Sequence, residues 1–192
     1  MRVIAGEMKG RRLDAVPGSA TRPTTDKIKE SIFQIMGPYF DGGICLDLFA
    51  GSGSLGIEAL SRGMDEAIFV DKNPKAVQVI KQNLQTLKIE EHAEVFRADA
   101  FRALQAIAKR GLKFKLILLD PPYGKVDYCK LIEVIEASSL LDDGGIIYAE
   151  HEPGEKVPES TSTLHITKQT DYSRSIGITI YEKNIRENEV EA

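Results

Sequence analysis

The stretch LLDPPYGK, residues 118–125, places a carboxylate, two prolines and an aromatic ring directly behind an apolar run. Each proline fixes its φ at about −65° and donates no backbone hydrogen bond, so the segment is stiff and its carbonyl oxygens are free to accept. Asp120 adds a charged acceptor, and the Tyr123 ring offers a face on which a nucleic-acid base can stack. An unstacked base presents its exocyclic NH2 group to such a site, so the segment predicts a site for a base amine.

The chemistry of that amine explains why two acceptors are needed. An exocyclic amine is a poor nucleophile because its lone pair is delocalised into the ring. Hydrogen bonds from both N–H groups, one to Asp120 and one to a proline carbonyl, would favour a pyramidal nitrogen held in line with a methyl group. Asp120 could also accept the proton that the amine loses. The residues predicted to be catalytic are therefore Asp120, Pro121, Pro122 and Tyr123.

A glycine-rich loop, LDLFAGSGSLG, follows an earlier apolar run at residues 46–56. Gly51, Gly53 and Gly56 fit the GxGxxG pattern of a strand-to-helix turn, which NAD enzymes, flavin enzymes and methyltransferases share. Asp47 stands four residues before Gly51. Its carboxylate would repel a pyrophosphate but would attract the cationic ammonium and sulfonium groups of S-adenosylmethionine. The charge favours S-adenosylmethionine as the cofactor.

Two further aspartates end the next two predicted strands. Asp71 lies 20 residues after Gly51, where a carboxylate can accept hydrogen bonds from ribose hydroxyls. Asp99 could accept from the adenine amino group, or it could cap the helix that follows it. Open parallel sheets bind ligands outside the carboxyl ends of their strands, so these acids together predict one cofactor site.

The elements that must position these residues follow from the hydrophobic pattern. From residue 44 onwards short apolar runs alternate with helical patterns, which is typical of an α/β fold with a mainly parallel sheet. The run Leu116 to Leu119 does not alternate, as expected for a central strand that is covered on both faces. The predicted strands are 44–49, 67–71, 93–97, 116–120 and 145–150, with helices at 57–61, 74–87, 101–109 and 128–138, a hairpin at 3–16, a helix from about 25 to 39 capped by Thr24 or Thr25, and a closing strand pair at 164–167 and 176–181.

Composition and charge set the broad class. The chain has 192 residues, 42% of them apolar and 28% charged, which is typical of one globular domain. The first 30 residues carry seven basic and four acidic side chains although the net charge is −4, so this end could contact phosphates or could simply be a solvated surface. Cys45 and Cys129 lack metal-ligand spacing and are interpreted as packing residues. We expect a cytoplasmic location, because no signal-peptide pattern or membrane-spanning run is visible.

The motifs together resemble the RsmD-type 16S ribosomal RNA guanine-N2 methyltransferases, which are class I S-adenosylmethionine enzymes. The resemblance extends from RVIAG through TRPTTDKIKESIFQI, LDLFAGSGSLGIEALSRG, VDKN and LLDPPY to IYEK, over about residues 1 to 183. It implies a Rossmann-like, seven-stranded, mainly parallel sheet with an antiparallel edge. It also implies one methyltransferase domain over 1–183, with a hairpin and helix at 1–40, a core at 41–183 and a polar flexible tail at 184–192.

The resemblance also implies roles for individual residues. Asp47, Phe49, Gly51 and Gly53 would surround the methionine part of the cofactor, Asp71 would hold the ribose and Asp99 the adenine amine. Asp120 to Tyr123 would clamp the target amine, with Asp120 bordering the cofactor as well. TRPTTD would put Arg22, Thr24 and Asp26 at the mouth of the site, and the basic residues expected to grip the rRNA are Arg2, Lys9, Arg11, Arg12 and Arg22.

Several alternatives stay open at this point. The implied partner is 16S rRNA or the 30S particle, with the protein as a monomer, but the same clamp suits the N6 amine of adenine in DNA. An NAD-dependent oxidoreductase and a non-catalytic rRNA-binding module are two further hypotheses. Family members often carry an aromatic-glycine pair near the end, whereas here Ser173 follows Tyr172 and the next glycine is Gly177.

Overall fold

The computed structural model describes residues 1–18 and 26–185. The helices in these ranges are α1 (Asp26–Met36), α2 (Ser54–Ser61), α3 (Pro74–Leu87), α4 (Ala100–Ala108) and α5 (Tyr128–Ala137). The strands are β1 (Ile44–Asp47), β2 (Glu66–Asp71), β3 (Ala93–Arg97), β4 (Phe114–Leu119), β5 (Leu141–His151), β6 (Leu164–Ser173) and β7 (Ile176–Lys183). They form one sheet in the order β3-β2-β1-β4-β5-β7-β6. The predicted fold class is confirmed, because β7 alone runs antiparallel to β5 and pairs with β6 as an antiparallel edge.

Alternate residues of the central strands pack on opposite faces of the sheet. Leu116 and Leu118 of β4 join a core cluster with α1, α2 and α3, whereas Ile117 and Leu119 join a second cluster with α4 and α5. This is why the apolar run of β4 does not alternate: both faces are covered by helices. We call the face covered by α1, α2 and α3 the α2 face.

The amino-terminal segment, residues 1–18, lies on the α2 face. Its predicted hairpin is reduced to a single antiparallel bridge between Arg2 and Arg12, and Val3 and Leu13 pack into the core of that face. Asn83 of α3 fastens the segment to the glycine loop, since its amide donates to the carbonyl oxygens of Asp14 and Ser52 at 3.1 and 2.9 Å. The amino-terminal segment is therefore connected through Asn83 to the glycine loop that precedes α2.

The predicted bounds match the structure closely for some elements and poorly for others. β3 and α3 have the bounds that the sequence predicts, whereas β6 continues to Ser173, well past the predicted end at residue 167. The extra residues of β6 are mostly polar and exposed, apart from the partly buried Thr170 and Tyr172, so the apolar pattern is weak and their pairing with β7 makes them a strand. The predicted caps Thr24 and Thr25 lie outside the described residues. Within residues 1–18 and 26–185, the helices lack the length and apolar content that crossing a membrane requires.

A buried ionic cluster joins α1, α2 and the amino-terminal segment. Glu58 of α2 is fully buried and accepts from Lys29 of α1 at 3.2 Å and from Arg62 at 2.8 Å. Its two oxygens also accept from the backbone N–H groups of Ile4 and Ala5, at 2.8 and 3.0 Å. Burial lowers the pKa of Lys29, and the Glu58 carboxylate opposes that change. Lys29, counted above in the basic excess of the first 30 residues, is therefore not a surface charge.

Replacing Glu58 should show how much the fold depends on this cluster. Glu58→Gln leaves two buried cations without a counter-charge, which typically costs about 3 to 5 kcal/mol of the free energy of unfolding. Urea unfolding followed by circular dichroism measures the loss.

The exposed Glu94–Arg110 pair provides the control, with both side chains about two-fifths exposed. Glu94→Gln removes the same charge from the surface and should change the unfolding midpoint little. Equal midpoints for the Glu58 and Glu94 variants would contradict a stabilising role for the cluster.

Candidate active site

The predicted acids converge at one edge of the sheet. Asp47 lies opposite Leu118 in the β1–β4 pairing and opposite Phe69 in the β1–β2 pairing. Asp120 and Asp71 follow those two partners by two positions, so all three side chains belong to the α2 face at the carboxyl ends of their strands. The structure therefore brings together three of the four acids that the sequence predicts for the cofactor and for the target amine.

The three glycines of the loop have different physical roles. Gly53 has a φ of +79° and stands before the first turn of α2. Gly51 has a φ of +54°, and a Cβ placed there would meet no atom within 4 Å, so open space lies beside the backbone. A Cβ on Gly56 would stand 2.4 Å from Cε1 of Phe69, so this glycine lets α2 pack closely on β2. The loop offers the close backbone approach that a ligand at Gly51 needs.

Asp47 is buried under α2, 1% exposed, and not open to solvent. Its Oδ2 accepts from the Gly56 backbone N–H at 2.9 Å. Burial raises the pKa of Asp47 to about 7, the Gly56 hydrogen bond opposes that rise, and the Asp71 carboxylate adds to it. The raised pKa means that the ionised form of Asp47 is not stabilised by a neighbouring positive charge. A bound cationic ligand would provide that stabilisation.

Asp71 and Asp99 both bind backbone groups. Asp71 accepts from Gly51 N–H at 2.9 Å through Oδ2 and from Asn73 N–H at 2.8 Å through Oδ1, so it fixes the glycine loop to the end of β2. Asp99 Oδ1 caps α4 by accepting from Phe101 N–H at 3.0 Å, which is the capping alternative considered for this residue. Each of these carboxylate oxygens keeps a second lone pair for a ligand donor.

The loop after β4 corrects one detail of the predicted clamp. The carbonyl of Pro122 is not free, because it accepts from the Lys125 backbone N–H at 3.2 Å in a turn that Gly124 closes with a φ of +63°. Pro121 is buried, and its carbonyl receives no backbone N–H from the described residues. The acceptors that remain for an amine are the Asp120 carboxylate and the Pro121 carbonyl.

Burial raises the pKa of Asp120 well above its ordinary value, and the carboxylates of Glu150 and Asp47 raise it further. Glu150 was not among the predicted residues. It is the last residue but one of β5, beside the position that Asp120 takes directly after β4, and it is 5% exposed. The signal that could have revealed it is its place at the end of a buried apolar strand, GGIIYAE.

The remaining predicted residues lie around this edge. Phe49 is partly buried and packs with the cluster on the face opposite to α2. Arg2 pairs with Asp26 at 2.7 Å, and Arg11 donates to the carbonyl oxygen of Thr86 at 3.1 Å. The exposed basic residues of the same segment include Lys9 and Arg12. Two predicted residues, Arg22 and Thr24, fall outside the described residues.

The donor set fits S-adenosylmethionine. Asp71 accepts from the Gly51 N–H beside this open space, and Asp47 and Asp120 lie on the same face at the ends of the neighbouring strands, which suits a ligand that carries a sulfonium and an ammonium group. A pyrophosphate in the same place would face those carboxylates. Within the described residues no group of acidic, histidine or cysteine side chains could hold a metal ion.

The chain is similar to a known family and to proteins named as methyltransferases. A family model described as "Conserved hypothetical protein 95" matches residues 1–182. The protein named "Putative rRNA methyltransferase YlbH" of Bacillus subtilis (strain 168) is 53% identical over 183 residues, covering 95% of this chain and 99% of that protein. Ribosomal RNA small subunit methyltransferase D of Escherichia coli (strain K12) is 34% identical over 158 residues, covering 82% of this chain and 78% of that protein. A solved Escherichia coli structure described as "Putative methyltransferase yhhF" superposes with a TM-score of 0.81 at 31% identity, covering 97% of this chain and 99% of that one.

The burial of Asp47 predicts a specific pH dependence of stability. Its pKa is about 7 in the folded protein, against about 3.9 for an unfolded aspartate, so the folded state binds the extra proton between these values. The stabilisation is complete below about pH 4 and is lost as pH rises through 7. Asp47→Asn removes this dependence, so its free energy of unfolding should rise relative to wild type by roughly 4 kcal/mol between pH 4 and pH 8.

Urea unfolding at a series of pH values measures the difference. Asp14→Asn removes an exposed carboxylate of the amino-terminal segment and should keep the wild-type pH dependence. A constant difference between Asp47→Asn and wild type from pH 4 to pH 8 would show that the buried carboxylate does not titrate as described.

Proposed function

Because the chain belongs to the family described as Conserved hypothetical protein 95, whose relatives include rRNA methyltransferases, we propose that it methylates the exocyclic N2 amine of one guanine in 16S rRNA. The relatives support methyl transfer to rRNA as the activity. The observation that supports an exocyclic base amine as the target is the pair of acceptors, Asp120 and the Pro121 carbonyl, beside the exposed ring of Tyr123. The choice of guanine N2 over adenine N6 rests on the resemblance to the rRNA guanine-N2 methyltransferases.

S-adenosylmethionine is the cofactor, and it supplies an electrophilic methyl group. Asp47, Gly51 and Gly53 would hold its methionine part, Asp71 its ribose and Asp99 its adenine amine. The open space beside Gly51 and the nearby carboxylates support this arrangement.

The protein's own residues do the rest of the chemistry. The Tyr123 ring stacks on the flipped guanine, worth about 1 to 3 kcal/mol. Asp120 and the Pro121 carbonyl accept from the two N–H groups of the amine and fix the direction of its lone pair. As the amine N–H bond breaks, its proton passes to the Asp120 carboxylate, which the raised pKa of Asp120 favours.

The basic amino-terminal segment provides the contact with rRNA in this proposal. Lys9 and Arg12 are exposed on a segment that packs on the α2 face, the face that carries the site carboxylates. Phosphate contacts from such residues would orient the RNA while the clamp selects the base. We propose the 30S particle or 16S rRNA as the form of the substrate and a monomer as the active protein.

Transfer of labelled methyl groups to unmodified 16S rRNA or 30S particles tests the proposal. We expect incorporation at one nucleoside, which mass spectrometry should identify as N2-methylguanosine. N6-methyladenosine, or incorporation into DNA alone, would overturn the assigned substrate. Calorimetry with S-adenosylhomocysteine and with NAD tests the cofactor, and tight binding of NAD without binding of S-adenosylhomocysteine would overturn it.

Replacing the acid of the clamp should separate chemistry from cofactor binding. Asp120→Ala removes the charged acceptor and proton acceptor, so kcat should fall by about 10² or more. The affinity for S-adenosylhomocysteine should change only a few-fold, measured by calorimetry. Asp41→Ala removes an exposed carboxylate from the loop before β1 and should keep wild-type turnover. Wild-type turnover by Asp120→Ala would show that the clamp is wrongly assigned.

A further inference from the structure

Three tyrosines converge on Glu150, at the end of β5. Tyr123 of the loop after β4 donates its hydroxyl to Oε1 at 3.0 Å, and Tyr148 donates to Oε2 at 2.8 Å. The Tyr128 hydroxyl donates to the backbone oxygen of Glu150. Each carboxylate oxygen is therefore held by a different ring, and one of these rings belongs to the clamp.

The strand register explains why Glu150 stands beside Asp120. Leu118 pairs with Tyr148 and Leu119 with Ala149, so the next position along the two parallel strands sets Asp120 against Glu150. Both side chains belong to the α2 face. Two carboxylates are thus adjacent at the edge where the base amine is expected.

Keeping a carboxylate there is costly for the fold. Glu150 is 5% exposed, and within residues 1–18 and 26–185 no lysine, arginine or histidine forms an ion pair with it. Taking an ion out of water is unfavourable unless a counter-charge offsets the loss of hydration. Hydrogen bonds from two hydroxyls offset only part of that cost, which points to a role beyond packing.

Tyr123 needs such a partner because its own surroundings hold it weakly. The ring is 36% exposed and lies in the turn of residues 122–125 within the loop after β4. A single backbone hydrogen bond, from Lys125 N–H to the Pro122 carbonyl, closes that turn. Its hydroxyl bond to Glu150 ties the loop to β5, a strand paired on both sides. Without that bond the ring face could rotate away from Asp120.

We propose that Glu150 is a positioning residue of the target-base site, which fixes the Tyr123 ring through its hydroxyl and places a second negative charge beside Asp120. The inference rests on the proposed function, because it assigns Tyr123 to the stacking of the base. Glu150 acts through Tyr123 and Asp120 and does not touch the reacting atoms.

The two effects of Glu150 separate in the pH profile. Glu150→Gln removes the negative charge that disfavours ionised Asp120, so Asp120 ionises at lower pH and the acidic limb of kcat/KM moves to lower pH. Tyr123→Phe keeps that charge and should leave the limb in place. The titratable groups that face Asp120 are Asp47 of β1, Glu150 and Tyr148 of β5, Tyr123 of the loop and Tyr128 of α5.

A double-mutant cycle tests the tether. Tyr123→Phe and Glu150→Ala each remove the Tyr123–Glu150 hydrogen bond, whereas the amide oxygen of a glutamine could still accept it, so each of these two variants should lower kcat by about ten-fold with KM for the RNA changed less than about two-fold. The double variant should also lose about ten-fold, not a hundred-fold. Glu90→Gln, in the exposed 3-10 turn that precedes β3, is the matched control and should behave as wild type.

Limited proteolysis provides a readout that needs no RNA. Trypsin can cut after the exposed Lys125, inside the loop, and after the exposed Arg110, which precedes β4. Loss of the tether should raise the rate of cutting at Lys125 several-fold in both single variants and no further in the double variant. Cutting at Arg110, which lies outside the loop, is the internal reference and should stay constant.

The outcomes are distinguishable. Additive losses of kcat, an unmoved acidic limb in Glu150→Gln, or wild-type cutting at Lys125 would each overturn the assignment of Glu150. If Glu150→Ala fails to fold, Tyr123→Phe alone must still show faster cutting at Lys125, and wild-type cutting there overturns the tether. The wild-type protein could fail to methylate any rRNA while the variants still show faster cutting at Lys125. That result would contradict the proposed function and would still support the tether.

Discussion

The carboxylate of Glu58 is the interaction on which the arrangement of the α2 face depends. It binds two backbone N–H groups of the amino-terminal segment, the ammonium of α1 and the guanidinium of Arg62. The same Lys29 ammonium donates to the Ser54 hydroxyl at 3.0 Å, directly after the glycine loop. The amino-terminal segment, α1 and the end of α2 thus meet at one buried carboxylate. The Lys29–Ser54 hydrogen bond connects this cluster to the glycine loop. The guanidinium also stacks 4.8 Å above the Phe33 ring, which connects the cluster to the apolar core.

The alternation of side chains along the strands places the acids of the candidate site on one face of the sheet. Residues two apart along a strand share a face, so Asp47, Asp71, Asp120 and Glu150 all project to the face that carries the glycine loop. The parallel pairing aligns their strand ends at one edge. The acids proposed for the cofactor and those proposed for the clamp therefore lie close together, and burial and mutual repulsion raise the pKa values of Asp47 and Asp120. A cationic methyl donor and the amine's departing proton both relieve that charge.

The sequence predicts those parts of the fold and of the site that residues near in sequence determine, and it misses those that depend on tertiary packing. The central strands and the glycine loop follow from apolar runs and turn residues within a few positions, and they are where expected. Lys29 was counted as a surface charge because its partner Glu58 is brought to it only by the packing of α1 on α2. Glu150 was missed because its meaning comes from the adjacency of β4 and β5, which a strand pattern alone does not give. The engaged carbonyl of Pro122 likewise depends on a turn with Lys125 that the proline pair does not dictate.

The central claim is that this edge of the sheet transfers a methyl group to one guanine amine of rRNA. Quantitative mass spectrometry of nucleosides from small-subunit rRNA, in cells of the source organism that lack the protein, tests it most directly. The account predicts that one N2-methylguanosine disappears and returns when the wild-type gene is restored. Complete methylation of every such guanosine in the absence of the protein would contradict the account.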